Sequence, residues 1–410
     1  GADGRFRARA AVAAPEPPSR NRMQGRAVRR LGWPPNGANP LSFRPDLRSS
    51  AGMLTGLRIL EFEALGPAPF AAMHLADLGA EVTVIHRATP DNPSKQPNNL
   101  LDRGKRSIVL DLKTPEDIVV AKALIARSDA LIEGMRPGVM ERLGLGPEVA
   151  HALNPGLVYG RMTGWGQDGP RARQAGHDLN YAGVSGTLFF GGLPGEVPGV
   201  PPTLLGDIGG GALYLTVGIL SGVLNARRTG KGCVVDAAIV DGTSHMLSLL
   251  LSMGPMFSRE ARGASLLDGP HWSRCYVCAD GRHVAVQCLE PKFYAEFLEI
   301  IGLAGDPTFS EQFDPVQWPV QTARLAGLFA ARPRDEWVSL FDGSDACVAP
   351  VLSPAEAQKD PHIAARGIWQ DGVPAPAPRF DGVARGTGDI PPRGAHGAEI
   401  RETLRQEGLI

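Results

Sequence analysis

Two acid/base residues thirty positions apart give this chain its candidate chemistry. His177 lies in the Gly-His-Asp motif 176–178, and Asp207 lies in the glycine-rich stretch 206–211. Histidine exchanges a proton near neutral pH without special tuning, whereas an aspartic acid does so only when burial or a like charge disfavours its ionised form. Glycines flank both residues, so we expect both in turns. Two bases on opposite sides of one carbon are what inversion at an acidic α-carbon requires.

The stretch that contains Asp207 also predicts an oxyanion site. It leads into the apolar segment 212–224, which is typical of a helix. Backbone N–H groups at a helix start can bind an oxyanion, and glycines let a carbonyl approach the main chain closely. We therefore assign Gly209 and Gly210 to this turn. The alternative is purely structural, because an aspartate at either motif could simply cap a turn or a helix.

Length and composition favour a globular protein with two domains. The 410 residues include 43% apolar and 21% charged side chains, with a net charge of −1. So small a net charge does not attract nucleic acid, and any anion must be bound by local cations. The longest apolar runs, near 212–224 and 246–257, are interrupted by Gly, Ser or Thr before the roughly 18 apolar residues of a membrane span, so we expect no membrane association.

Cysteine usage bears on location and on metal binding. Five thinly spread cysteines form no disulfide framework and suit a reducing compartment, so we expect a cytoplasmic protein. Cys275 and Cys278 make one CxxC, but no second pair of Cys or His follows at zinc-finger spacing. We predict no metal site.

Residues 1–52 differ from the rest of the chain. They hold ten Arg, no Lys, three acidic residues and seven Pro, without a periodic apolar pattern. We predict a disordered N-terminal extension. Upstream sequence read as protein before Met53 and an organelle presequence both stay open, although the prolines disfavour a presequence helix.

Beyond residue 53, strands and helices alternate along the chain. The predicted strands are 57–62, 81–85, 107–110, 130–132 and 157–162, and the predicted helices are 69–78, 116–127, 211–225, 237–253 and 398–407. Alternation of this kind favours a parallel, doubly wound α/β sheet. No GxGxxG follows the first strand and no GxxxxGK[ST] occurs, so neither a standard dinucleotide site nor a P-loop is predicted.

Seven stretches carry a resemblance to a known family. They are GLRILEFEALGPAPFAAMHLADLGAEVTVIHR, DRGKRSIVLDLK, LIEGMRPGVMERLGLGP, YGRMTGWGQDGPRARQAGHDLNYAGVSG, GDIGGGALYLTVGILSGVL, GKGCVVDAAIVDG and CADGRHVAVQCLEPKFY. In this order they resemble the type III CoA-transferase (CaiB/BaiF) superfamily, and within it the α-methylacyl-CoA racemases. Members that transfer CoA are similar around the GD-x-x-x-G turn, whose aspartate is their nucleophile, but they lack the histidine of the Gly-His-Asp motif.

The resemblance implies an isomerase of lipid and fatty-acid metabolism. Its reaction would be the racemisation of 2-methylacyl-CoA thioesters through an enolate, without a cofactor, with His177 and Asp207 as the opposed bases. Glu290 matches the glutamate of the family's I-E-P motif, which helps to hold the histidine; by itself it is typical of a solvated acid at a strand end. A CoA-transferase with Asp207 as nucleophile and an inactive acyl-CoA-binding homologue remain the alternatives.

The resemblance also implies a CoA-binding set. Its cations for the phosphates are Arg87, Arg136 and Arg142, whose guanidinium groups match phosphate oxygens better than an ammonium does. The other matched positions are Leu110, Asp111, Leu112, Lys113, Gly134, Met135, Gly176, Asp178, Leu179, Asn180 and Tyr181. Taken singly, each basic residue is more often a solvated surface charge.

The implied fold is an interlocked homodimer with the active site between subunits and Glu290 supplied across the interface. A large Rossmann-like CoA-binding domain would span 53–236 and be completed by 378–410. Linker helices (237–274), a small α+β domain (275–360) and a return linker (361–377) make up the rest.

The chain departs from the racemases in one segment. Residues 266–278 read LLDGPHWSRCYVC where racemases usually read LLDGGAPYYDTYEC, and 287–289 replace Gly-Ala-Ile. These positions lie near the acyl side of the implied site, so bile-acid-like, branched fatty-acyl and arylpropionyl groups all remain open.

Overall fold

The structure is a computed structural model that describes residues 52–88, 99–383 and 385–410. The predicted disordered extension, 1–52, therefore lies outside the described residues except for Gly52.

Six strands form the main sheet. They are β1 (Arg58–Phe62), β2 (Glu81–Arg87), β3 (Arg106–Leu110), β4 (Ala130–Glu133), β5 (Val158–Thr163) and β6 (Cys233–Ala238). Their order is β3-β2-β1-β4-β5-β6, and every neighbouring pair is parallel. The strand order reverses between β1 and β4, and doubly wound sheets bind ligands beyond the carboxyl ends of the strands at such a reversal.

The α/β fold class and the five strands expected from the sequence are confirmed, each strand to within two residues. The sixth strand, β6, was not predicted. Its first four residues alternate between half-buried and exposed, as befits the edge of a sheet. The expectation of a helix over 237–253 was wrong at its start, because residues 237 and 238 end β6.

Helices cover both faces of this sheet. They are α1 (Pro67–Asp77), α2 (Pro115–Ala126), α3 (Val139–Arg142), α4 (Pro147–Leu153), α5 (Asp178–Ser185) and α6 (Leu213–Thr229). Because side chains alternate along a strand, Ile59 packs with α1 and α6 on one face, while Leu60 packs with α2 on the other. Ile400 and Leu404 of the C-terminal helix also pack on the face of the sheet that α2 covers.

The glycine-rich stretch 206–211 is helical, which corrects the predicted turn. Leu204–Ala212 forms a π-helix that continues directly into α6. Glycine is needed here for close packing: a Cβ at Gly210 would lie 2.0 Å from Thr243 Oγ1, and one at Gly206 would lie 2.5 Å from Asp178 Oδ1.

The π-helix and α6 together run over Leu204–Thr229, so the glycines that interrupt this apolar run do not end the helix. Among the described residues this one helix is long and apolar enough to cross a membrane, with 26 residues and a mean hydropathy of 1.4. A single helix of this length and hydropathy is weak evidence of a membrane span, because the core helix of a globular protein can be equally long and apolar. This helix packs on β5, β6 and α1.

A second, smaller sheet follows. After α7 (Ile239–Met246) and α8 (Ser248–Leu251), strands β7 (Ser273–Val277), β8 (His283–Gln287) and β9 (Val348–Val351) pair antiparallel in that order. Helices α9 (Pro291–Ile300), α10 (Trp318–Phe329) and α11 (Arg334–Phe341) pack against it around a largely aromatic core. This unit is the small α+β part of the fold that the sequence predicted.

The chain then returns to the main sheet. The remaining elements are α12 (Pro354–Ala357), α13 (Pro361–Ala365), β10 (Trp369–Gln370), β11 (Val373–Pro374) and α14 (Gly397–Gln406), with short 3₁₀ turns at Leu100–Asp102, Leu188–Phe190, Gly254–Met256 and Pro307–Phe309. Helix α14 packs on α2 and β3 and is the predicted terminal helix, shifted by one residue.

Candidate active site

One cavity lies at the carboxyl ends of the strands that meet at the order reversal. Its volume is about 590 Å³. The lining residues come from the ends of β1, β2, β4, β5 and β6, from the segment before α5, and from the π-helix: Glu63, Ala64, Leu65, Gly66, Pro67, Arg87, Gly134, Met135, Arg136, Pro137, Met162, Thr163, Gly164, Trp165, Ala172, Gln174, Ala175, Gly176, His177, Tyr181, Asp207 and Ile239. Both predicted bases therefore face the same space.

His177 is held at the start of α5. It is the N-cap residue, with φ −139° and ψ 178°, and its backbone N–H donates to Asn180 Oδ1 at 2.9 Å. The hydroxyl of Tyr181 donates to the carbonyl oxygen of Gly176. These contacts fix the peptide that carries His177 from both sides.

Two glycines make room for the Tyr181 ring. A Cβ at Gly164 would lie 1.9 Å from Tyr181 Cζ, and a Cβ at Gly176 would lie 2.8 Å from its Cε1. Trp165 then contacts the Tyr181 ring edge-on, with centroids 4.7 Å apart and planes at 83°. The ring pair forms one wall of the cavity beside His177.

Asp207 has the environment of a proton-transferring carboxyl. Its pKa is raised to about 6, mainly by burial and also by the nearby Asp178 carboxylate, while His177 has the opposite, smaller effect. Gly66, at the start of α1 with φ +63°, leaves open the space beside the Asp207 carboxylate, since a Cβ there would lie 3.5 Å from Oδ2. A carboxyl with a pKa near 6 can give or take a proton close to neutral pH.

A buried ion-pair network supports the loop that carries Arg136 into the cavity. Glu133 ends β4, is fully buried, and accepts the N–H of Met135 at 2.6 Å and Arg161 Nε at 3.0 Å. Arg161 also binds both carboxylate oxygens of Glu141. Burial raises the pKa of Glu133 to about 7, although these hydrogen bonds and the arginine oppose the rise.

A second buried charge cluster lies behind Arg87. Glu63 directly follows β1 and lines the cavity. Its carboxylate accepts the N–H of Arg87 at 2.8 Å and contacts His86 Nδ1 at 3.1 Å. Arg393, from the C-terminal return, donates to both oxygens of Glu63 and to the carbonyl oxygen of Arg87. The C-terminal segment thus helps to fix the end of β2.

Of the predicted CoA contacts, six line the cavity: Arg87, Gly134, Met135, Arg136, Gly176 and Tyr181. The others are not among its lining residues: Leu110, Asp111, Leu112, Lys113, Arg142, Asp178, Leu179 and Asn180. Leu110 is buried in the core on the α2 face, and the N–H of Asp111 donates to Asp117. Asn180 and Asp178 bind backbone N–H groups instead.

Gly209 and Gly210, the predicted oxyanion turn, are not among the residues that line the cavity. Gly210 is buried against Thr243 of α7, and Gly209 is half-buried and faces Met246, so their oxyanion role stays a prediction. The start of α5, directly after His177, is a second candidate, because the first N–H groups of a helix have no partner within it and favour negative charge.

Glu290 is placed outside this cavity. It is exposed at the N-cap of α9, in the smaller unit. The residues that the sequence argument missed include Glu63, Trp165 and Gln174. Glu63 could have been found, because it directly follows a predicted parallel strand, at the end where such sheets bind ligands.

Within the part of the chain that the structure describes, no group of three or more His, Cys, Asp or Glu is arranged to hold a metal ion. Cys275 is exposed and Cys278 is buried, and both are free thiols.

The chain is similar to proteins of known family. The model of CoA-transferase family III matches residues 54–386. The alpha-methylacyl-CoA racemase of Mus musculus is 41% identical over 331 residues, covering 80% of this chain and 85% of the mouse protein. That of Homo sapiens is 42% identical over 333 residues, covering 79% and 86%. The crystal structure of a CAIB/BAIF family protein from Brucella suis matches with a TM-score of 0.72 at 26% identity, over 87% of this chain and 100% of that chain.

Proposed function

Because this chain belongs to CoA-transferase family III, we propose that it is a racemase of 2-methylacyl-CoA thioesters, as its mouse and human relatives are named. The observation that carries the proposal is the pairing of His177 and Asp207 in one cavity, with the pKa of Asp207 raised to about 6. A second proton-transferring group beside the aspartate is what distinguishes α-proton chemistry from nucleophilic transfer.

The reaction needs only proton transfer. One base takes the α-proton, and the C–H electron pair moves into the thioester carbonyl to form an enolate. The conjugate acid of the opposite base returns a proton to the other face of the carbon, which inverts it. The two resulting enzyme forms differ only in which of His177 and Asp207 carries the proton, so a reverse turnover restores the first.

Other parts of the cavity suit the rest of the substrate. The first N–H groups of α5 lie beside His177 and would stabilise the enolate oxygen. Arg87 and Arg136 supply cations for CoA phosphates, and Leu65, Met162 and Ile239 supply apolar wall. We propose that no cofactor takes part.

The decisive experiment is NMR of a 2-methylacyl-CoA of defined configuration in deuterated buffer, with a chelator and no added cofactor. Wild-type protein is compared with His177→Ala and Asp207→Asn, and a free carboxylic acid is added as a possible acceptor. We expect deuterium at the α-carbon with loss of configuration, strongly slowed by either substitution. Branched fatty-acyl, arylpropionyl and bile-acid-like thioesters tested in parallel give the preferred acyl group.

A CoA-transferase would give a different result in the same NMR experiment. CoA would move to the added acid through an acyl anhydride and an aspartyl thioester, with no α-exchange, and only Asp207 would be essential. That outcome would replace the racemase proposal.

We also propose that the protein acts as a homodimer in which Glu290 of one subunit reaches the site of the other. Two observations support this proposal. Apolar side chains of α5, the π-helix, α6 and α8 are exposed in the single chain, among them Leu179, Leu204, Val217, Leu224 and Leu249, and large apolar side chains left exposed together are typical of interfaces. Glu290 is exposed and does not line the cavity of its own chain.

Subunit mixing tests the dimer. His177→Ala and Glu290→Ala chains are each expected to be nearly inactive, whereas mixed dimers regain one intact site if the glutamate comes from the partner. Light scattering gives the oligomeric state directly. A monomer, or mixed dimers without recovered activity, would contradict the shared site.

The cytoplasmic location is likewise a proposal, which a fluorescent fusion of the full chain would test.

A further inference from the structure

Asp178 directly follows His177, yet it is not among the residues that line the cavity. It is the first residue of α5 and is only 5% exposed. A buried carboxylate is costly unless it is hydrogen-bonded, so its partners indicate its role.

This carboxylate accepts backbone N–H groups around the start of the π-helix. Oδ1 accepts the N–H of Gly206 at 2.9 Å and that of Asp207 at 2.8 Å, and Oδ2 accepts the N–H of Thr203 at 3.2 Å. The first N–H groups of a helix have no partner within it, so this side chain satisfies donors that would otherwise be orphaned.

Two local features show how closely the contact is fitted. Thr203 adopts φ 61°, a left-handed conformation that costs a β-branched residue energy. Gly206 has no space for a side chain, because a Cβ would lie 2.5 Å from Asp178 Oδ1. Where this segment meets the carboxylate, it therefore has a strained backbone at Thr203 and requires glycine at position 206.

We propose that Asp178 is the positioning residue of the active site: its buried carboxylate binds the backbone that carries Asp207 and so holds the Asp207 carboxyl opposite His177. One short motif then places both bases, since His177 and the residue that holds Asp207 are neighbours in sequence. The kinetic part of this inference rests on the proposed racemase function.

The charge of Asp178 has a second effect, because it raises the pKa of Asp207 after the larger contribution of burial. The other titratable or charged groups towards this side are His177 and Tyr181 of the α5 segment and the cavity residues Glu63, Arg87 and Arg136. Helix α7, which packs on the π-helix, carries Asp241 and His245. Removing the charge of Asp178 alone should therefore lower the pKa of Asp207.

The test uses Asp178→Asn, which keeps the shape but loses the charge and one acceptor. Asp280→Asn is the control, because the exposed carboxylate of Asp280 likewise accepts backbone N–H groups, those of Arg282 and Arg334, but in the smaller unit. The full chain is used throughout. Exchange of the α-proton is followed from pH 5 to 8 for the epimer that Asp207 deprotonates, and ¹³C-carboxyl NMR follows the titration of Asp207, assigned with Asp207→Asn.

We expect kcat of Asp178→Asn to fall about 10- to 100-fold, in line with the effect of a misplacement of about 1 Å, while KM changes about twofold at most. The acid limb of kcat/KM and the Asp207 titration should both move to lower pH. Asp280→Asn should change neither. If Asp178→Asn does not fold, Asp178→Glu keeps the charge but displaces the carboxylate, and should lower kcat with the limb in place.

An unchanged kcat with an unmoved limb would overturn the proposal, and so would a loss that Asp280→Asn reproduces. If the wild-type protein shows no α-exchange, the proposed function fails, and the NMR titration still judges this inference: an Asp207 that titrates at the same pH with and without the Asp178 charge would refute it.

Discussion

Replacing Glu133 with glutamine should change how the stability of the protein depends on pH. Glu133 is fully buried at the end of β4, and burial raises its pKa to about 7 from an ordinary value of 4.5. Glutamine has nearly the same shape and can still accept the N–H of Met135, but it cannot ionise. Arg161 keeps its two bonds to Glu141 in this variant.

The sign follows from proton linkage. Between pH 4.5 and 7 the folded protein binds the Glu133 proton more tightly than the unfolded chain does, so ionisation at rising pH favours unfolding. For a shift from 4.5 to about 7, the free energy of unfolding should lose about 2.5 kcal/mol between pH 5 and pH 8 from this group. The variant lacks that loss. Its stability relative to wild type should therefore rise by about 2.5 kcal/mol across the same range, whatever its offset at pH 5.

The assay is urea unfolding of wild type and Glu133→Gln at pH 5, 6, 7 and 8, at one salt and protein concentration. Glu141→Gln is the matched control, because Glu141 binds the same arginine but Arg161 holds its pKa below the usual range, overcoming a partial desolvation that acts the other way. The stability that Glu141 contributes is present above its unfolded pKa and is lost only as pH falls through the lower folded pKa. Its variant should thus differ from wild type by a nearly constant amount over this range, because the Glu141 charge makes only a small contribution to the raised pKa of Glu133. A constant difference for Glu133→Gln would refute the reasoning.

Three further predictions have defined outcomes. Gly206→Ala should lower both stability and activity, because the new Cβ meets Asp178 Oδ1 at 2.5 Å, whereas Gly199→Ala, with no atom within 4 Å of its Cβ, should leave both unchanged in unfolding and exchange assays. His271 is fully buried and burial lowers its pKa to about 3, so wild type should lose about 2 kcal/mol of stability between pH 7.5 and pH 5 from this group as the unfolded chain takes up the proton. Denaturation of His271→Gln should lack that loss, and equal losses in both proteins would count against a neutral buried imidazole. Gly327→Ala, at an exposed position inside α10 with open space around it, should raise the free energy of unfolding by about 0.5–1 kcal/mol, and a lower melting temperature would show that glycine is required there.

The strands could be predicted because parallel strands are buried on both faces and appear in the sequence as continuous apolar runs bounded by turns. Strand β6 was not predicted, because it is an edge strand whose first four side chains alternate between half-buried and exposed. Helix α7 also follows it directly, without a turn signal between them. Glycine-rich 206–211 was read as a turn because glycine is a poor helix former. In the structure it is helical, and glycine is needed there because neighbouring backbone and side chains approach Gly206 and Gly210 more closely than any Cβ would allow.

The candidate site shows the same division. Residue types and family-like motifs pointed to His177, Asp207, Arg87 and Arg136, all of which line the cavity. They also pointed to Gly209 and Gly210, which do not, because a local pattern of glycines does not reveal which neighbour fills the space beside them.

The sequence by itself determined the alternation of strands and helices, the two candidate bases and the resemblance that names their chemistry, because these depend on residue types and on short spacings. Only the tertiary structure decided that the two bases share one cavity, that the pKa of Asp207 rises to about 6, and that Asp178 binds the backbone of Asp207. Burial, electrostatic fields and hydrogen bonds between residues some thirty positions apart depend on distances in space, and those are set by the packing of the whole sheet and its helices.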